Sequence, residues 1–143
     1  MQRRMSEANR YLLMLGSNLS PEIKLDLANA GLRGAFTDLE LSARQSSPAR
    51  EGGDVADYIN QAALIRSELD PAALKQQLRA IEKALGRVRP NPNPGTCPID
   101  IDLIARLDPK MVAIAPEDLE DPVARALCGE LVGDLLPVLR GLA

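Results

Sequence analysis

Apolar residues fall along the chain in short runs and spaced stripes that predict alternating strands and helices. Tyr11 to Leu15 is a continuous apolar run closed by Gly16-Ser17-Asn18, the pattern of a buried strand ending in a turn. Ser20 then offers an N-cap with Pro21 at the first helical position. Leu25, Ala28 and Leu32 recur at helical spacing, which predicts a helix ending near Ala35. Leu39 to Gln45 alternates as a second strand, and Ser46 to Asp57, with Pro48 and Gly52-Gly53, reads as a long loop. Tyr58 to Ser67 is strand-like again. Asp70-Pro71 repeats the cap-and-proline signature before a helix carrying Leu74, Leu78, Ile81 and Leu85 on one face, with Gly86 as its stop.

From Arg87 to Gly95 the chain carries Pro90, Pro92 and Pro94 at alternate positions, which suits neither a helix nor a paired strand and predicts a stiffened loop. Ile99 to Ile104 makes a fourth strand and Met111 to Ala115 a short fifth. Asp121-Pro122 opens a last helix bearing Ala126, Leu127, Leu131 and Leu135. The order β-α-β-β-α-β predicts an α+β, ferredoxin-like sandwich: one mainly antiparallel sheet with helices packed on one face, plus the C-terminal helix. The 143 residues suit one domain, 1–143, in which 1–9 form a flexible polar lead.

Composition narrows the chemistry. Hydrophobic residues make up 45% of the chain, enough for one core, but the aromatics are limited to Tyr11, Phe36 and Tyr58 and there is no His. Without imidazole, zinc hydrolysis and Ser-His mechanisms are disfavoured, which leaves carboxylate, Arg/Lys and backbone chemistry. A net charge of −3 with no basic tract argues against nucleic acid. Cys97 and Cys128 lack metal-ligand spacing. The apolar run after the basic start is too short for a signal segment, and no stretch reaches the ~20 apolar residues of a membrane span, so the expected location is the cytoplasm.

In Ile99-Asp100-Ile101-Asp102-Leu103, residues two apart share a strand face, so both carboxylates project together while the apolar residues face the core. Their Cα atoms would lie ~6.6 Å apart, close enough to share one Mg²⁺ or bridge two. The competing reading is an exposed polar face, which places like charges side by side without compensation. Arg87 and Arg89, just past the second helix with Glu82 one turn earlier, can reach phosphates or merely complement the helix dipole. Tyr58 and Asn60 share an extended face and offer an aromatic plane beside an amide, suited to a flat heteroaromatic ligand or to ordinary packing.

Taken in order, Gly16-Ser17-Asn18-Leu19, Ser47-Pro48, Asp57-Tyr58-Ile59-Asn60, Ile81-Glu82, Gly86-Arg87-Val88-Arg89 and Asp100-Ile101-Asp102 resemble the 6-hydroxymethyl-7,8-dihydropterin pyrophosphokinases, over residues 10 to about 105. The resemblance implies a ferredoxin-like fold. It also implies transfer of the β,γ-pyrophosphoryl group of ATP to the pterin hydroxymethyl oxygen, leaving AMP, in folate biosynthesis. By that likeness Asp100 and Asp102 hold two Mg²⁺ ions, Tyr58 and Asn60 contact the pterin with Ser47 and Pro48 at its rim, Arg87 is a catalytic arginine, and Arg89 and Glu82 contact nucleotide. A monomer or weak dimer is expected. The family's Gly-Pro-Arg before the paired aspartates reads Gly95-Thr96-Cys97, and its later Pro-His reads Pro116-Glu117. Two further readings follow: a relative that binds nucleotide or pterin without transfer, and a ferredoxin-like interaction module.

Overall fold

The computed structural model describes residues 8–49 and 55–135. Its elements run β1 (Asn9–Ser17), α1 (Pro21–Ala35), β2 (Thr37–Ser47), β3 (Tyr58–Ser67), α2 (Pro71–Ala84), β4 (Asp100–Arg106), β5 (Val112–Ala113), a 3₁₀ turn (Pro116–Glu120) and α3 (Pro122–Val132). The strands form one five-stranded sheet in the order β2-β3-β1-β4-β5, with antiparallel pairing at every step. This is the predicted α+β ferredoxin-like sandwich with a short edge strand added beside β4. Of the lead expected at 1–9, Asn9 opens β1 and residues 1–7 lie outside the described residues, as does the Gly52-Gly53 pair.

Strand β1 is central, and Tyr11 to Ser17 are all buried because both faces of the sheet are covered. Tyr11, Leu13 and Leu15 join Leu25, Ala28 and Leu32 of α1 and Leu74 and Leu78 of α2 in one core. Leu12 and Met14 face the other way, into a second core with Leu119, Ala124, Leu127 and Cys128. The two crossover helices therefore share one face of the sheet and α3 takes the opposite one. Ile99, just before β4, and Ile101 and Leu103 on it enter the first core as the alternation predicts. A register shift against β1 between Leu12 and Leu13 then brings both Ile104 and Ala105 into the second.

The helix starts differ from expectation at one place. Asp70 accepts a hydrogen bond from the Ala73 amide at 2.8 Å and Asp121 one from the Val123 amide at 3.1 Å, both true caps. Ser20 holds the cap position of α1 in a left-handed conformation (φ 46°) and its hydroxyl caps nothing. Pro21, with its preset φ and no amide hydrogen to satisfy, is left to start that helix.

At the end of the sheet away from the loop that follows β1, Arg10 of β1 is tied to Asp108 beyond β4. The Arg10 backbone amide donates to Asp108 at 2.9 Å, and the guanidinium adds bonds of 3.0 and 3.1 Å. The Arg10 hydrogen bond holds the Asp108 carboxyl below the usual carboxylate range. A depressed folded pKa contributes stability that is complete above the unfolded value near 4 and is lost as pH falls through the folded one. Asp108→Asn is expected to cost about 1 kcal/mol near neutral pH, because both partners are partly solvated, and to lose that difference in strong acid. Urea denaturation at pH 7 and pH 3 checks this; an equal deficit at both would reject it.

Candidate active site

The site is built where the C-terminal end of β1 meets the starts of β3 and β4. Across the sheet Asp100 pairs with Gly16, and Gly16 with Asn60; one step along, Asp102 pairs with Met14. Cross-strand partners share a face, so Asp100, Asp102, Asn60 and Tyr58 all rise on the α3 side. Ser47, paired with Tyr58, brings the end of β2 to the same place.

These side chains line a cavity of about 260 Å³ together with Met14, Pro48, Asp118, Asp121 and Ala124. Gly16 is its floor. A Cβ there would lie 3.3 Å from Asn60 Oδ1 and 3.5 Å from Tyr58 Cδ2, so glycine is what lets the two residues lie across the strand. Asn60 donates its amide to the Ser47 hydroxyl at 2.8 Å and to the Gln45 carbonyl at 3.0 Å, which fixes the polar edge beside the Tyr58 ring.

Burial, then the neighbouring charge of Asp100, pushes the Asp102 carboxyl up to about 8. Asp100 is the partner that found a cation: Arg87 Nη1 lies 2.6 Å from its Oδ1. Two carboxylates on one strand face, one of them poorly compensated, are what a divalent cation relieves, and hard oxygen ligands suit Mg²⁺. Among the described residues no group of three or more His, Cys, Asp or Glu forms a metal cage. Mg²⁺ ordinarily takes one or two carboxylates and completes its shell with water and phosphate.

A second cavity, of about 450 Å³, opens between Leu19 and the proline-rich loop and is lined by Arg87, Val88, Arg89, Asn93 and Cys97 among others. Tyr58 and Asp100 line both cavities and so form their common wall. The loop closes on itself: Asn91 accepts from the Asn93 amide at 3.0 Å and donates to the Thr96 carbonyl at 2.7 Å. Gly95 adopts φ +84°, where a side chain is strained, and a Cβ would press on Val55 Cγ2 at 3.0 Å, so glycine is favoured on both counts. Burial pushes the Cys97 thiol up, leaving it a weak nucleophile.

Of the residues singled out from sequence, Asp100, Asp102, Tyr58, Asn60, Ser47 and Pro48 meet at the first cavity, and Arg87 and Arg89 at the second. Glu82 lines neither; it is 3% exposed, with both oxygens held from within. Sequence reasoning assigned no part to Asp118, Asp121 or Ala124, because Asp121-Pro122 reads only as a helix start until α3 folds over the sheet.

It also gave no role to Asn18, which staples the site together. The Asn18 amide donates to Gly95 O at 2.7 Å and Ala56 O at 3.2 Å, while its Oδ1 accepts from the Cys97 amide at 2.6 Å. One side chain from the end of β1 thus joins the two loops that precede β3 and β4. Asn18→Ala is expected to destabilise the protein by about 3 kcal/mol, roughly 1 for each bond lost. Urea unfolding measures it, and a loss under 1 kcal/mol would show that the loops hold without the staple.

Paired acids, arginines at a loop and a shared wall between two cavities are the groups that carboxylate-and-arginine phosphoryl-type chemistry calls for. A model of the 7,8-dihydro-6-hydroxymethylpterin-pyrophosphokinase family matches residues 12–127, most of the chain, and the chain belongs to that family. Enzymes of this family use ATP with Mg²⁺. No curated protein matches the sequence.

Among solved structures, the C-terminal domain of MgtC from Mycobacterium tuberculosis is 14% identical, covering 72% of this chain and 93% of that one, at a TM-score of 0.37. YxeP of Bacillus subtilis, a dinuclear metal-binding peptidase, is 14% identical with a TM-score of 0.40, covering 84% of this chain and 32% of its own. Likenesses this distant bear on neither substrate nor reaction. No helix among the described residues is long and apolar enough to cross a membrane.

Proposed function

We propose that the protein transfers the β,γ-pyrophosphoryl group of ATP to 6-hydroxymethyl-7,8-dihydropterin and releases AMP, acting in the cytoplasm as a monomer or weak dimer. The observation that carries this reading is the contact between Arg87 and Asp100 at 2.6 Å on the wall shared by the two cavities. That contact sets a guanidinium and a metal-binding acid where a heterocycle in one cavity would meet a triphosphate in the other.

In this reading the Tyr58 ring lies against the flat pterin, Asn60 reads its edge, and Ser47 and Pro48 form the rim. Arg89 holds nucleotide phosphate from the second cavity, and Glu82 supports the nucleotide side. Asp100 and Asp102 would hold Mg²⁺, two ions in the full complex, and the metal would supply neutralisation of the triphosphate charge. Arg87 leaves Asp100 for the phosphates. The pterin hydroxyl oxygen then bonds to the β-phosphorus, the bond from that phosphorus to the α-phosphate bridging oxygen breaks, the hydroxyl proton departs, and AMP leaves. Positioning and charge neutralisation suffice for this chemistry, so the lack of histidine is no obstacle.

A second reading, a relative that binds nucleotide or pterin without transfer, rests on Cys97. It places a neutral thiol on the second cavity's wall where the family's Gly-Pro-Arg has a guanidinium. Mg²⁺-dependent AMP release from ATP with the pterin present decides between the two. AMP above background supports transfer; its absence alongside Mg²⁺-dependent binding heat for ATP in calorimetry supports binding alone. An interaction module would give neither.

A further inference from the structure

Glu82 stands in the last turn of α2, almost wholly out of water, and its contacts lead to both halves of the site. Its Oε2 accepts from the Ile101 amide at 2.7 Å and from Arg87 at 3.2 Å, and its Oε1 accepts from Arg89 at 3.1 Å. Its backbone carbonyl also accepts from the Arg87 amide at 3.0 Å. Ile101 is the residue between the two aspartates. Arg87 Nη1 is shared further, with the Ile99 carbonyl at 3.1 Å and Asp100 at 2.6 Å.

A carboxylate this buried is tolerated only when paired and hydrogen-bonded, and pairing with one arginine would have met that need. Glu82 instead joins three elements: the strand carrying the acids and both arginines that open the loop. We infer that Glu82 is a positioning residue for the transfer reaction, fixing the backbone between Asp100 and Asp102 and dividing the charge of Arg87 with Asp100 so that a metal ion can displace the arginine. The inference rests on the pyrophosphoryl-transfer reading for its kinetic consequence, but not for its effect on metal binding.

In Glu82→Gln the oxygen that accepts from Ile101 and Arg87 can be kept, but the amide nitrogen cannot accept from Arg89 and the negative charge is gone. With no carboxylate charge at 82, Asp100 is the one anion left beside Arg87, which holds it more strongly and competes with the cation. Glu82→Asp keeps the charge but is one methylene too short to reach Ile101 and both arginines together. Partners that orient a metal ligand are typically worth 10- to 100-fold in metal affinity or activity. Both variants are therefore expected to bind Mn²⁺, followed by electron paramagnetic resonance on the protein alone, about 10- to 100-fold more weakly than the parent. In turnover, kcat should fall by a similar factor, while KM for the pterin stays within about twofold because Tyr58 and Asn60 are untouched.

An aspartate variant with parental Mn²⁺ affinity beside a weakened glutamine variant would show that charge alone matters and overturn the positioning role. So would both variants binding Mn²⁺ like the parent. A parent that binds Mn²⁺ but releases no AMP rejects transfer and leaves the metal comparison to decide Glu82. A parent that binds no Mn²⁺ on its own overturns the positioning role, and AMP release still decides transfer. If the aspartate variant does not melt cooperatively, the glutamine variant, of nearly the same shape, still overturns the role by binding Mn²⁺ like the parent.

Discussion

Asp102→Asn is expected to lower Mg²⁺-dependent AMP release about 10³-fold, at the upper end of what losing one electrostatic stabiliser costs, and to remove the Mg²⁺-dependent heat of ATP binding. Asp102 faces the cavity from the same side of β4 as Asp100, with Met14 beneath it. Its carboxyl is pushed up to about 8 by burial and then by Asp100, so in the metal-free protein its charge is a strain on the fold.

The sign of the stability effect follows. Between the unfolded pKa near 4 and a folded value near 8, the native state keeps a proton that the unfolded chain has lost. Metal-free stability should therefore fall as pH rises through that window. Asparagine has nearly the same shape and no charge, so the variant should lack this fall and melt higher than the parent at pH 8.5 without metal. Loss of function joined to a gain in stability marks a residue kept for its chemistry. A variant that still releases AMP at the parental rate would end the metal assignment. Unchanged Mg²⁺-dependent heat would do the same.

Arg87→Ala is the second large effect, an expected loss of about 10²–10³ in kcat for one transition-state donor. The change also leaves Asp100 without its cation and Glu82 with Arg89 as its remaining cation. A buried acid deprived of a partner destabilises, here by about 2–3 kcal/mol given that Arg89 and the Ile101 amide remain. Catalysis and folding are separated by Arg87→Lys, which keeps a charge near both acids but lacks the planar fork. It should recover most of the stability and less than a tenth of the rate. Urea unfolding and AMP release measured on both variants check this; full recovery of rate by lysine would reduce Arg87 to a simple counter-charge.

The alternation of Ile99, Ile101 and Leu103 with Asp100 and Asp102 was legible because strand geometry has a period of two and the apolar residues had to face a core. The same rule placed Tyr58 beside Asn60. Asp70 could be read as a cap because its bond spans only three residues. Ser20 offered the same signal and does not cap, since its left-handed backbone turns the side chain elsewhere. The face taken by α3 was not legible. Leu12 and Met14 announce that the second face of β1 is buried, but not by what, and so Asp118, Asp121 and Ala124 went unseen as cavity residues.

Asn18 and Glu82 show the same limit at single residues. Asn18 reaches Gly95 across 77 positions of chain, and Glu82 reaches Ile101 across 19. Nothing in local spacing encodes such a pairing, because it depends on which strand ends come together. What the sequence alone determined was the order of elements, the facing of the paired acids, the exclusion of imidazole chemistry and the likeness to a pterin pyrophosphokinase, all properties of local periodicity, composition or ordered motifs. What only the tertiary structure decided was that Arg87 meets Asp100, that Tyr58 divides two cavities, and that a buried glutamate ties acids to arginines. These are contacts between distant segments, and chain folding alone brings them within hydrogen-bond reach.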